Sequence, residues 1–296
     1  MRVFERDRHG PAGHVSRKSV ASMSAAHAVS SRFAPRPIHV DADPNGVAFG
    51  HHDESLYVAD AKSGAIFRVE AGRQRRLATI DLECGTGKCR VGGLAVTPQG
   101  ALYATRLGDG VGGVFRIEPD LSTEALEGLS VDAWRVGLTY DASTHALYVT
   151  QYEKAPGGPF DGAVAKIDLA SGDSTMIVTG LRKPVGIAKL GDALVITDAN
   201  ARVVYRVDLD GDREVSRTAL ASRIDRPDSC VVAGHGSVLV TTYDDASELG
   251  AVRQIWLDGS MRTIAVGPWE PRGITTDYDR IYVSARRGER ILVFTL

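Results

Sequence analysis

A pattern that returns six times constrains this chain more than any other feature. Residues 44–69 read PNGVAFGHHDESLYVADAKSGAIFRV: a turn, a short strand at 47–49, a tight turn, a second strand at 56–59, a polar loop and a third strand at 66–69. The same order restarts at Val91, Arg135, Pro184, Pro227 and Pro271. The intervals between starts are 47, 44, 49, 43 and 44 residues. A period in the forties, with three β-rich runs and a looser fourth, is the signature of a four-stranded propeller blade. The expected fold is therefore all-β, a six-bladed β-propeller. Residues 36–296 form its single domain, and residues 1–35 form a disordered tail.

The termini are expected to close the ring. The chain ends in ILVFTL, the third strand of blade 6, while PIHVD at 37–41 is a β-like run without a blade of its own. Adding that run as the outer strand of blade 6 would remove two exposed sheet edges.

Composition excludes some partners. Hydrophobic residues make up 43% of the chain and the net charge is −2, which gives no reason to expect nucleic acid or an anionic membrane surface. No run reaches the roughly 18 apolar residues that a membrane-spanning helix needs. The 1–35 segment is rich in Arg, Ser, Ala and His, and its apolar middle is interrupted by serines, unlike a secretory h-region. A cytoplasmic protein is the expectation, with export as the alternative. Cys84 and Cys89 are expected to be reduced structural thiols, with a local disulfide as the second reading, and Cys230 a small buried apolar residue. No P-loop, dinucleotide fingerprint, serine elbow or zinc signature appears, so no nucleotide cofactor is expected.

Chemistry should gather on one face. Gly46, Gly93, Gly137, Gly186 and Gly273 open the inner strands, with Ser229 in the corresponding place of blade 5. A bare backbone there lets the blades crowd the axis. The residue before each of these points towards the axis: Asn45, Gly92, Val136, Val185, Asp228 and Arg272. The second strands end on the same face at Asp60, Arg106, Gln151, Asp198, Thr242 and Ala285. Tyr152, Glu153, Tyr243 and Asp244 follow in two longer loops, 152–162 and 243–250, of the kind that carries binding sites on rigid scaffolds. His51, His52, His145 and His235 fall in turns on the opposite face, over three blades, and are expected to be surface histidines rather than a metal centre. Asp228 and Arg272 lie on adjacent blades and could pair across the channel.

The recurring P-x-G…LYVAD…I-x-R-V-D pattern resembles the NHL-repeat propellers and the related SMP-30/gluconolactonase and strictosidine-synthase-like proteins. The resemblance spans residues 36–296 and rests on structural positions. For the lactonases it implies a divalent cation, Ca²⁺ or Mg²⁺, at the top of the channel. Asn45 stands where that family carries Glu, and Asp228 (in PDS) where it carries Asp. Val185 and Val136 replace other ligands, so Asp198 is the residue that could complete the set Asn45, Asp198 and Asp228. Such an ion would polarise a lactone or ester carbonyl. Asp228 or Asp198 would serve as base, and Arg272, Arg106 or Tyr243 would face the oxyanion. Substrate contacts would come from Arg106, Gln151, Tyr152, Glu153, Tyr243, Asp244 and Arg272. The implied function is hydrolysis of a small lactone or ester. The alternatives are a non-catalytic NHL-type module binding a protein, peptide or metabolite, and a metal-free condensing enzyme or lyase, for which Glu270 has no assigned orientation.

Overall fold

The computed structural model describes residues 35–84, 89–118, 122–154, 158–234, 236–286 and 288–295. These form six four-stranded antiparallel sheets arranged in a ring, with no helix among the described residues. Blade 1 consists of Pro44–Gly50, Ser55–Asp60, Ala65–Glu70 and Arg73–Thr79. The other inner strands are Arg90–Val96, Trp134–Asp141, Pro184–Leu190, Pro227–Ala233 and Pro271–Thr276. Blade 6 takes its outer strand from the N-terminal side: Arg36–His39 pairs antiparallel with the last strand, Arg36 opposite Val293 and His39 opposite Arg290. The expected closure is present, and both edges it covers are hydrogen-bonded.

The core lies between blades rather than within one. Six apolar clusters each draw on two neighbouring blades. Val58, Val149, Leu194, Val240 and Val283, on five different second strands, are fully buried. These strands read as continuous apolar runs because both their faces meet a neighbouring sheet.

Near the axis, one device recurs. Every inner strand shifts register against its second strand at the same place: between Pro44 and Val47, Val91 and Leu94, Arg135 and Leu138, Pro184 and Ile187, Pro227 and Cys230, and Pro271 and Ile274. This bulge frees two backbone groups from the ladder. A buried hydroxyl on the second strand satisfies the amide of its own blade and the carbonyl of the next. Thr150 Oγ1 accepts from Gly137 N (2.9 Å) and donates to Val185 O of the next blade (2.7 Å). Thr105 does the same between Gly93 N (2.8 Å) and Val136 O (2.6 Å). Thr241 links Ser229 N (2.9 Å) to Arg272 O (3.1 Å). Thr197 joins Gly186 to Asp228 O, and Ser284 joins Gly273 to Asn45 O. Blade 1 carries Ala59 at this position. There the Asn45 amide reaches across instead, donating from Nδ2 to Val91 O at 2.7 Å.

The glycines make these contacts fit. A Cβ on Gly186 would sit 2.5 Å from Asp228 O and 2.8 Å from Cys230 N, and one on Gly273 would sit 2.5 Å from Asn45 O. Both neighbours are backbone and cannot rotate away.

One expectation is corrected. Cys84 and Cys89 are joined by a disulfide rather than held as thiols. Their Cα atoms are 6.3 Å apart, inside the usual bridging range. Sequence spacing alone allows this bond without requiring it. Cys230 is buried as expected, and desolvation pushes its thiol up to about 12.

Two substitutions probe the ring. Thr150→Val removes both bonds of one staple while keeping its shape, and should cost about 1–3 kcal/mol. Gly186→Ala should cost at least about as much, through a clash with backbone. Urea unfolding of each variant measures this; midpoints equal to wild type would contradict the staple.

Candidate functional site

The bulge and staple together decide what faces the axis. In five blades the residue before the glycine, or before its counterpart Ser229, gives its carbonyl to a hydroxyl of the neighbouring blade, with its side chain directed inwards. Asn45, Gly92, Val136, Val185, Asp228 and Arg272 accordingly line a channel of about 330 Å³. All but Gly92 also line a second cavity of about 360 Å³ at the face where the inner strands begin, here called the upper mouth.

Two residues earlier in the chain lies a second tier. Side chains of an extended strand alternate, so positions two apart share a side. This tier comprises Asp43, Arg90, Trp134, Lys183, Arg226 and Glu270. The first five line the mouth, joined by Tyr152 and Arg286, and Glu270 lies beneath them with 8% of its side chain exposed. The mouth is thus lined by five cations (Arg90, Lys183, Arg226, Arg272 and Arg286) against two carboxylates (Asp43 and Asp228).

Arg272 is the hub. Its Nη1 bonds Asp228 Oδ2 at 3.0 Å, and its Nη2 bonds Glu270. Glu270 also accepts from Arg226 Nη2 at 2.8 Å, and Arg226 Nη1 reaches Asp245 at 2.7 Å. Arg226 rests on the Tyr243 ring, 4.5 Å from its centroid. It has φ of 29°, an unusual backbone conformation for the residue before a proline. Burial pushes Asp228 above the ordinary carboxylate value, against the pull of Arg272 and Arg226. Burial also works to raise Glu270, but Arg272 and Arg226 outweigh it and hold this carboxyl below its ordinary value. Tyr152 is buried, and desolvation followed by the nearby Asp228 charge lifts its phenol to about 12. Its ring packs against Trp134 (5.8 Å between centroids) and Phe160 (5.2 Å), forming an aromatic wall on the blade 3 side.

Several residues expected at the site serve the scaffold instead. Asp198 is 1% exposed and lines neither cavity. It accepts from the backbone N–H groups of Arg182 (2.7 Å), Lys183 (3.0 Å) and Ala201 (3.0 Å), and so clamps the segment that presents Lys183. Asp60 grips Asp43 N in the same way at 3.2 Å. Arg106 is committed to Val111 O (2.6 Å) and Asp81 O (2.7 Å) beneath the mouth. Gln151 is buried opposite Arg135 in the blade 3 ladder, Glu153 is exposed away from the cavity, and Asp244 caps its own turn through Ser247 and Ala246. Tyr243 supports Arg226 without lining the cavity. The structure brings Asn45, Tyr152, Asp228 and Arg272 together. His51 lines the lower end of the channel, and His235 lies outside the described residues.

The ligand set Asn45, Asp198 and Asp228 does not suit a divalent cation. Asp198 is turned into backbone and Asp228 already faces Arg272, which leaves Asn45, whose Nδ2 donates to Val91 O, to offer a single neutral oxygen. Hard cations take six or more oxygen ligands, several of them anionic, and here the Arg272 guanidinium already engages the carboxylates of Asp228 and Glu270. Among the described residues no group of three or more His, Cys, Asp or Glu side chains is placed to hold a metal.

Solved structures share this architecture. A gluconolactonase from Xanthomonas campestris superimposes with TM-score 0.72 at 14% identity, over 88% of this chain and 90% of its own. A luciferin-regenerating enzyme gives 0.67 at 13%, over 89% and 96%, and a virginiamycin B lyase from Staphylococcus aureus gives 0.62 at 16%, over 89% and 99%. The likeness is one of fold. No family model matches the sequence, and no curated protein matches it.

The Glu270 network implies a pH dependence. A carboxyl held below its unfolded value contributes stability that is present above that value and lost as pH falls through the folded one. Glu270→Gln should therefore flatten the loss of stability seen in wild type below the ordinary carboxyl value of 4.5. Urea midpoints measured from pH 7 downwards check this; parallel curves for the two proteins would contradict it.

Proposed function

We propose that this propeller is a hydrolase of a small lactone or ester, working at the upper mouth without a metal ion. The observation that carries this reading is the Asp228–Arg272 pair, half-buried on the floor shared by channel and mouth. Gluconolactonases among the structural neighbours support it as an analogy of fold.

One oxygen of Asp228 is held by Arg272; among the described residues no hydrogen bond reaches Oδ1. A carboxylate raised by burial is a better base than a solvated one. Asp228 Oδ1 takes a proton from water as the water oxygen attacks the carbonyl carbon. The carbonyl electron pair becomes an oxyanion, stabilised by the Arg272 guanidinium and the Lys183 ammonium at the cavity wall. The tetrahedral species collapses, the acyl carbon–oxygen bond breaks, and the leaving alkoxide takes the proton back from Asp228. The net change is addition of water, giving a hydroxy acid from a lactone. Arg272 fixes the Asp228 carboxylate through Nη1 and is itself fixed by Glu270 through Nη2, which keeps base and electrophile in register.

A screen of lactones and carboxylic esters tests the reading. The rate on an active compound should rise with pH as Asp228 ionises, with a midpoint above the ordinary carboxylate value. Asp228→Asn should reduce kcat about 100-fold or more. Arg272→Met should move the midpoint further up, since the opposing cation is gone. Unchanged turnover in Asp228→Asn, or no turnover of any lactone or ester, would sink the proposal.

A further inference from the structure

We propose that the upper tier of the mouth is a receptor for an anionic group, a carboxylate or phosphate monoester, on the small molecule that enters it, with Arg90 and Arg286 as its primary grip. This rests on reading the upper mouth as the working site, and adds the chemical class of what it takes. The cations of the mouth are unequally committed. Arg272 and Arg226 are engaged by Asp228, Glu270 and Asp245. Arg90 lines the cavity, half-buried, and makes no side-chain hydrogen bond or ion pair among the described residues. Arg286 stands 3.9 Å from Asp43 and 3.9 Å from Glu270, too far for a hydrogen bond to either.

These two guanidiniums project from blades 2 and 6, on either side of blade 1, and repel each other. Burial together with the Arg286 and Arg272 charges lowers the pKa of Arg90. Unfilled, such a pair is a cost to the fold; an oxyanion between them converts repulsion into charge-assisted hydrogen bonds. Arginine suits the task because its planar donor fork matches carboxylate and phosphate alike. Asp43 and Glu270 offset this repulsion in part. Each stands 3.9 Å from Arg286 without a hydrogen bond, and Asp43 is also drawn to Lys62 at 3.5 Å and tethered through its backbone to Asp60.

The rest of the mouth agrees with a small anion bearing an apolar or ring portion. A cavity of about 360 Å³ suits a metabolite rather than a chain segment. The Trp134–Tyr152 wall, with Lys183 Nζ 5.8 Å from the Tyr152 centroid, lies on the side away from blade 1. An acid group held by Arg90 and Arg286 leaves the remainder of the ligand over Asp228 and Arg272. The left-handed backbone of Arg226, held in place by Glu270, Asp245 and Tyr243, fits a wall fixed in advance of binding.

Calorimetric titration of the full chain at low ionic strength tests this, with citrate and 6-phosphogluconate as acidic probes and sorbitol as the neutral one. At least one acid should bind saturably and more weakly as salt rises, while sorbitol should not bind. Arg90→Ala and Arg286→Ala should each weaken that binding about ten-fold or more, with Arg90→Lys recovering part of it. Circular dichroism matching wild type and melting temperatures no lower than wild type would confirm that the variants are folded. Sorbitol binding as tightly as the acids, no saturable acid binding, or acid binding indifferent to Arg90 would each overturn the proposal. Its failure is separable from that of the hydrolase. Opening of a lactone or ester by a protein that binds neither acid saturably would keep the hydrolase and overturn the receptor. Arg90-dependent acid binding by a protein that opens no lactone or ester would do the reverse.

Discussion

The hydroxyl that bridges one blade to the next is the interaction on which the rest of this structure depends. Inner strands crowd the axis, so their backbones need glycine, and a bulge at each glycine leaves an amide and a carbonyl outside the ladder. Burying those groups unpaired would cost about 1–3 kcal/mol each. Thr105, Thr150, Thr197, Thr241 and Ser284 satisfy them, each fully buried, and carry the bond across to the neighbouring blade. With the carbonyl committed sideways, the side chain of the same residue is directed into the channel. The constraint that closes the ring therefore also builds the floor of the site.

Electrostatics then separates this mouth from a metal site. A divalent cation needs converging oxygens; here the converging groups on the floor are a guanidinium and a carboxylate already paired. Arg272 links Asp228 to Glu270, and Glu270 links Arg272 to Arg226. Those contacts leave the remaining positive groups, Arg90 and Arg286 foremost, facing the open cavity. A site of this sign draws in anions and disfavours cations before any contact is made.

Much of this was legible from the sequence. The repeat spacing led to six blades, the unpaired PIHVD run to closure of blade 6, and the glycine positions to Asn45, Asp228 and Arg272 at the axis. The upper tier was harder to see, although its signal is present: Asp43, Lys183, Arg226 and Glu270 each directly precede the proline that opens a repeat. Arg90 and Trp134 occupy the same place in blades 2 and 3, where that proline is missing, and so break the pattern to the eye. Asp198 is ambiguous in the sequence because an acid at a strand end has two uses. It can face a cavity or bind backbone amides, and only the path of the segment 182–183 decides between them. The disulfide stood as the second reading for a similar reason, since a spacing of five residues allows Cys84 and Cys89 to meet without requiring it.

Calorimetric titration of Ca²⁺ and of Mg²⁺ into metal-stripped protein, at neutral pH and low ionic strength, bears most directly on the central claim that Arg272 and its neighbours occupy the place of a cation. The account predicts no saturable heat from either ion, and equal melting temperatures with and without it. Saturable binding of one ion per chain that disappears in Asp228→Asn would contradict it, and would mean that the Asp228–Arg272 pair opens to admit a metal.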